Sequence, residues 1–100
     1  MGTFRLSSHA DRDLDEIWEF IAADSGEMAD RFIRLLVGRF ELLSDRSMIG
    51  RPRDDLRFNL RSFPYRSYNI FYFRTAYGVE IYRVLHAARD IETVFTGETE

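Results

Sequence analysis

A run rich in aromatic and β-branched residues constrains this chain more than any other stretch, and it extends from Leu60 to Asp90. Such residues favour strands, and the segment from Thr75 to Gly78 supplies a glycine suited to a tight turn. We therefore predict two long strands, Tyr65 to Arg74 and Val79 to His86, that pair as a β-hairpin.

The first of these strands is apolar on both faces, because side chains alternate along a strand. One face carries Tyr68, Ile70 and Tyr72, and the other carries Phe71 and Phe73. A sheet of this kind must be covered on both sides. We expect helices of this chain on one side, and either a short terminal segment or another molecule on the other.

Two amphipathic helices are predicted before the hairpin, after an opening strand from Thr3 to Ser7. Ser8 and Asp11 form an S-x-x-D capping pattern for the first helix, and Ser25-Gly26 separates the two helices. The first predicted buried stripe comprises Leu14, Ile17, Trp18, Ile21 and Ala22, opposite an exposed face of Asp13, Asp15, Glu16 and Glu19. The second stripe comprises Met28, Phe32, Leu35, Leu36, Phe40 and Leu43.

The remaining segments complete a single domain over residues 1–100. Ser47 to Asp55 is typical of a surface loop, and Leu56 to Ser62 predicts a short strand that ends before Pro64. One amphipathic turn is predicted near the end of the chain, at Ile91, Val94 and Phe95. The order β-αα-βββ predicts an α+β fold in which a helical hairpin packs on a mainly antiparallel twisted sheet.

Composition excludes several kinds of chemistry. The chain has no cysteine, and all 14 of its lysine-plus-arginine residues are arginine, which removes cysteine nucleophiles, thiolate metal sites and lysine bases. Its two histidines, His9 and His86, are distant in sequence and make no metal-ligand set, so we expect neither metal nor cofactor. No apolar run approaches the ~20 residues of a membrane span. No signal peptide is recognised, and we expect a cytoplasmic protein without membrane contact.

Charge is divided unevenly between the two halves of the chain. Residues 1–50 carry 6 arginines and 10 acids, whereas residues 51–100 carry 8 arginines and 7 acids. The sheet-forming part, residues 51–89, holds 8 arginines and 3 acids. This basic region favours an acidic protein partner. Because the whole chain has a net charge of −3, direct specific binding of nucleic acid is not expected.

A set of short motifs follows a fixed order along nearly the whole chain. The first helix has the pattern A-x-x-D-L-x-x-I, and the matching positions are Ala10, Asp13, Leu14 and Ile17, with Ala29 early in the second helix. Gly50-Arg51, Leu60-Arg61 and Tyr68-x-Ile70-x-Tyr72 follow, and RVLHAARDI closes the series at residues 83–91. In order, spacing and total length the chain resembles the ParE toxins of the RelE/ParE toxin-antitoxin superfamily.

The resemblance implies a small toxin that a co-expressed ParD-like antitoxin holds inactive by folding its tail over apolar grooves of the toxin. It also implies DNA gyrase as the target, because ParE toxins poison gyrase. We accordingly predict an exposed apolar groove between the helical hairpin and the sheet, lined by Phe71 and Phe73 and occupied by an antitoxin helix. A degenerate member that only binds its antitoxin and regulates its operon is a further alternative.

A ribosome-dependent mRNA endoribonuclease is the main alternative, because RelE relatives share the fold. Such chemistry needs a base, an acid and cations around the phosphate. The catalytic candidates would be His86, Tyr82, Arg61 and Arg83, with Glu80 as a possible helper. The lysines of the RelE-type arrangement are missing, and a histidine that closes a strand more often hydrogen-bonds the next loop.

Partner binding is the simpler role for the exposed cations and aromatic residues. The predicted partner-binding set is Arg61, Arg66, Phe71, Phe73, Arg83 and Arg89. A structural alternative places Arg83, Arg89 and Asp90 in one charge cluster that fixes the turn after the last strand. His9, beside the first helix cap, is expected to be an exposed residue without a functional role.

Overall fold

The computed structural model describes residues 2–97, which form one mixed sheet with two helices on one face and a short helix on the other. The helices are α1 Ser8–Ala22, α2 Gly26–Asp45 and α3 Ile91–Gly97. The strands are β1 Thr3–Leu6, β2 Arg51–Pro52, β3 Leu60–Tyr65, β4 Tyr68–Thr75 and β5 Gly78–His86. The strand order is β1-β5-β4-β3-β2, and only the β1–β5 pair among them is parallel. The predicted α+β fold is therefore confirmed.

Serine side chains cap both long helices. The Ser7 hydroxyl accepts a hydrogen bond from the Ala10 backbone N–H at 3.0 Å, and Ser25 accepts one from Met28 at 3.2 Å. The predicted break at Ser25-Gly26 is confirmed, whereas the first cap lies one residue before the predicted Ser8. Ser7 takes this role because its hydroxyl also donates to the Tyr82 carbonyl at 2.7 Å, which fixes the start of α1 against β5.

The predicted hairpin is present as β4 and β5, but its first strand begins at Tyr68 and not at Tyr65. A turn at residues 66–67 separates β3 from β4, and Arg66 adopts a left-handed φ of 54° there. Pro64 lies inside β3 instead of ending it, which contradicts the prediction. It is tolerated because β2 pairs only with Arg61 and Ser62, so the edge of β3 beside Pro64 needs no N–H donor.

Two separate cores lie on the two faces of the sheet. The larger core, under α1 and α2, includes Leu36, Phe40, Ile70, Tyr72 and Ile81. The smaller core comprises Leu60, Phe71, Leu85 and Phe95, and α3 covers it. The second cover of the sheet is thus the predicted terminal segment. Phe71 is fully buried, so its predicted place on an exposed groove is wrong, while Phe73 is half-buried against Tyr82.

Several assignments made from helical periodicity are also wrong. Trp18 is 39% exposed and its indole N–H donates to Asp30 at 2.8 Å, and Met28 and Leu35 are exposed as well. Asp13, predicted on the exposed face, is only 5% exposed. Within residues 2–97 no helix is long and apolar enough to cross a membrane.

Candidate functional site

A carboxylate closes the open edge of β5. Strand β1 pairs with β5 only as far as Ile81, so the backbone beyond that residue has no strand on this side. Asp13 of α1 fills the position: its Oδ2 accepts from the Val84 N–H at 2.9 Å and from Arg83 Nε at 2.8 Å, and its Oδ1 accepts from Arg83 Nη2 at 3.0 Å. A buried carboxylate thereby replaces a neighbouring strand and fixes α1 to the sheet.

Arg83 therefore serves the fold. Its side chain is 11% exposed and its guanidinium is paired in fork geometry with Asp13. The predicted cluster of Arg83 with Asp90 is wrong. Asp90 instead caps α3, accepting from the Thr93 N–H at 3.2 Å and the Thr93 hydroxyl at 2.6 Å, and these bonds hold the pKa of Asp90 below its usual range.

A shallow groove of about 150 Å³ lies between α1 and the ends of β4 and β5. Its apolar lining includes Ile17, Phe20 and Tyr68, and its polar lining includes Glu16, His86 and Arg89. Phe20 is 78% exposed at the rim. A groove between the helical hairpin and the sheet is thus present, but other residues line it than the predicted Phe71 and Phe73. We call it the α1–β5 groove.

The hydrogen bond of His86 determines which nitrogen carries its proton. Nδ1 accepts from the Ala88 N–H at 3.0 Å, which fits the expected bond to the following loop. In neutral imidazole the proton must then be on Nε2, so Nε2 is a donor. Tyr68 packs edge-on against the ring at 5.2 Å. In this tautomer the Ala88 N–H occupies the one ring lone pair that could accept a proton, which disfavours His86 as a general base.

The other catalytic candidates lie apart from His86. Tyr82 is an extra residue in β5 opposite the Phe71/Tyr72 step, a β-bulge that directs its ring to Phe73 and Phe95. Arg61 pairs with Tyr72, whereas His86 pairs with Tyr68, so the two lie on strands separated by β4 and about 13 Å apart along the strand direction.

Glu80 is displaced from the groove as well. It pairs with Phe73 of β4 and with Arg5 of β1, six positions before the end of β5 at His86. The structure therefore assembles no cleft from these candidates. In the described part of the chain, no group of three or more histidine and acidic side chains is arranged to hold a metal ion.

A second functional candidate is the turn between α2 and β2, residues 46–50, which we call the 46–50 turn. The Tyr72 hydroxyl accepts from the Gly50 N–H at 2.9 Å and donates to the Ser47 carbonyl at 2.8 Å. Arg61 Nη1 donates to the carbonyls of Met48 at 3.1 Å and Gly50 at 2.5 Å. Burial raises the pKa of Tyr72, so its hydroxyl stays protonated as a donor. Arg61 is thus a clamp on this turn.

The remaining predicted partner residues lie on the surface. Arg66 is exposed at the β3–β4 turn, where its Nε donates to the Tyr65 hydroxyl at 3.1 Å. Arg89 is exposed beside the α1–β5 groove. His9, expected to be exposed only, is partly buried with its ring 5.7 Å from that of Tyr82. Sequence reasoning did not select Phe20 or Met48 as binding candidates, although Phe20 is outside both predicted buried stripes and Met48 lies in the predicted surface loop Ser47 to Asp55.

Comparison with known proteins identifies relatives over most of the chain. The family model described as "ParE toxin of type II toxin-antitoxin system, parDE" matches residues 4–91. Toxin ParE1 of Caulobacter vibrioides is 37% identical over 87 residues, which cover 86% of this chain and 90% of that protein. A solved structure titled "Chromosomal ParDE TA system from P. aeruginosa" superimposes with a TM-score of 0.71 at 18% identity, covering 86% of this chain and 96% of that one. At that identity the structure supports the fold alone.

Proposed function

We propose that this chain, which belongs to the ParE toxin family of type II toxin-antitoxin systems, inhibits DNA gyrase by binding to it. A ParD-like antitoxin neutralises the toxin. The observation that carries a binding mechanism is that three of the four catalytic candidates are engaged in contacts within the fold. Arg83 binds Asp13, Arg61 clamps two backbone carbonyls, and His86 accepts a backbone N–H through Nδ1. None of these groups is assembled with another around one substrate position.

The α1–β5 groove is the site that fits the antitoxin. It combines an exposed aromatic ring, Phe20, with the cation Arg89 and the apolar floor at Ile17 and Tyr68. An amphipathic segment can lay an apolar side chain against such a floor and pair an acid with the arginine. Arg89 thereby keeps the partner-binding role predicted for it from the sequence, and the groove is the surface on which the antitoxin would lie.

Replacing Phe20 with Asp is expected to weaken antitoxin binding at least tenfold, because the substitution removes an apolar anchor and adds charge to the groove. Isothermal titration with the ParD-like antitoxin encoded beside the toxin gene measures the effect. Phe58→Asp is the matched control, since Phe58 is 81% exposed and lies outside the groove. Equal affinities for the two variants would contradict this location.

Replacing His86 with Gln is expected to reduce gyrase inhibition only as far as it reduces stability. Gln keeps a polar side chain at the position and removes the imidazole proton chemistry. Thermal unfolding and inhibition of supercoiling are measured on the same preparations. If the toxin instead cleaves ribosome-bound message, a folded variant that loses roughly 100-fold or more in cleavage rate would show that His86 transfers a proton.

The gyrase proposal itself has a direct test. Purified toxin is expected to stop ATP-dependent supercoiling of relaxed plasmid by DNA gyrase, and an equimolar amount of the ParD-like antitoxin is expected to restore it. A folded toxin that binds the antitoxin and leaves supercoiling unchanged would contradict the proposal. If it also leaves ribosome-bound message intact, an antitoxin-binding role in operon regulation is the remaining alternative.

A further inference from the structure

The 46–50 turn exposes two apolar side chains at its tip. Met48 is 59% exposed and Ile49 is 45% exposed, although most large apolar residues of the described chain are buried or half-buried. The tip follows the last residue of α2 and precedes the two-residue strand β2. The backbone between them closes through the Ile49 N–H, which donates to the Arg46 carbonyl at 3.2 Å.

This turn is held rigidly from beneath. Tyr72 and Arg61 bind the backbone of Ser47, Met48 and Gly50, as described above, and Arg74 Nε donates to Ser47 Oγ at 3.0 Å. Gly50 packs directly against the Tyr72 side chain: a Cβ atom added at this glycine would lie only 2.3 Å from the Tyr72 hydroxyl oxygen. Because the backbone of the turn is already fixed, binding through these two side chains costs side-chain entropy but little backbone entropy, as expected of a preorganised interface anchor.

Positive charge surrounds the tip. Arg46, Arg51 and Arg74 are exposed around it. Of the nearby acids, Asp45 accepts from the Gly2 N–H at 3.2 Å, Asp54 accepts from the Asn59 N–H at 2.9 Å, and Asp55 is paired with Arg53 at 3.0 Å. A complementary partner surface therefore carries carboxylates around an apolar depression.

We propose that the 46–50 turn is the surface through which the toxin binds its target protein, by inserting Met48 and Ile49 into an apolar pocket edged by carboxylates. This inference rests on the proposed function and names its contact site. A folded target fits better than the antitoxin tail, because an exposed, rigid tip needs a preformed concave partner, whereas a peptide segment needs a groove.

The two proposed surfaces lie at opposite ends of the molecule. Helix α2 has 20 residues and is about 30 Å long, and the tip follows its C-terminal end. Phe20 lies near the end of α1, which leads within a few residues into the N-terminal end of α2. The target and the antitoxin therefore contact different residues, and variants should separate the two activities.

The double variant Met48→Ala/Ile49→Ala is expected to need at least tenfold more toxin for half-inhibition of gyrase supercoiling. Its affinity for the ParD-like antitoxin and its melting temperature are expected to stay close to wild type, because both side chains are exposed. Met28→Ala is the matched control: Met28 is 56% exposed at the opposite end of α2 and belongs to neither surface. It is expected to match wild type in all three measurements.

Each outcome decides between the inference and its premise. Undiminished inhibition by the folded double variant, with an active wild type, overturns the inference and leaves the proposed function intact. If the double variant weakens both antitoxin binding and gyrase inhibition, the turn contributes to antitoxin binding, and this result also overturns the inference. A wild type that does not inhibit gyrase overturns the proposed function and this inference with it.

Discussion

Replacing Asp13 with Ala is expected to lower the free energy of unfolding by about 3 to 5 kcal/mol, the usual cost of removing one partner of a buried ion pair. The carboxylate is buried, with the Asp13 side chain 6% exposed and that of Arg83 11% exposed. Its removal takes away the acceptor of the Val84 N–H at the open edge of β5 and the counter-charge that Arg83 binds in fork geometry. Urea unfolding followed by circular dichroism measures the change.

The neighbouring acid Asp11 provides the control. It is exposed in the first turn of α1, so Asp11→Ala is expected to change stability by about 1 kcal/mol or less. The double variant Asp13→Ala/Arg83→Met should recover part of the loss, because no guanidinium then remains buried beside an apolar side chain. If Asp13→Ala unfolds at the same urea concentration as Asp11→Ala, the carboxylate is not what fixes α1 to β5.

Replacing Phe95 with Ala is expected to destabilise the protein by about 3 to 5 kcal/mol, the range for removing a buried aromatic ring. Phe95 is 2% exposed, and its ring lies 5.1 Å from that of Phe71 and 5.9 Å from that of Tyr82. Arg57 binds the same segment by donating to the Phe95 carbonyl at 2.9 Å. Without the ring, α3 no longer covers Phe71, so the second face of the sheet becomes exposed.

Binding of a hydrophobic dye reports that exposure and distinguishes it from a simple cavity. The Phe95→Ala variant is expected to bind the dye below its unfolding transition, whereas Phe58→Ala is expected to behave as wild type, within about 0.5 kcal/mol. Phe58 is the suitable comparison because it is 81% exposed in the loop that precedes β3. Loss of stability without dye binding would show that α3 stays in place and that only the ring contact is lost.

Local sequence patterns predicted most of the helices and strands, because helix caps, helix breaks and side-chain periodicity depend on residues close together in the sequence. Ser25 and Gly26 separate the helices where expected, and a terminal apolar turn at Ile91 to Phe95 is present. Burial was harder to predict, since it depends on contacts between distant residues. Asp13 follows the helical pattern of a solvent-facing acid, and only its position beside Val84 explains its burial. Trp18 lies at the edge of the core, where Asp30 of α2 accepts its indole N–H.

The functional side chains show the same limit. The bond from Ala88 to His86 was predictable, because it joins residues two apart in sequence. The clamp of Arg61 and Tyr72 on the 46–50 turn joins residues 11 to 25 positions apart, and no spacing in the sequence indicates it. The bulge at Tyr82 also changes the simple alternation along β5. Sequence analysis therefore identified the family and the candidate residues, but not which of these side chains are engaged in contacts that stabilise the fold.

The central claim, that this toxin acts on gyrase by binding and not by catalysis, is tested most directly by two assays on the same purified wild-type protein. One measures supercoiling of relaxed plasmid by DNA gyrase, and the other measures cleavage of ribosome-bound message. We expect the toxin to stop supercoiling and to leave the message intact. Cleaved message with unaffected supercoiling, abolished by His86→Gln in a folded variant, would contradict the claim and identify a ribosome-dependent endoribonuclease.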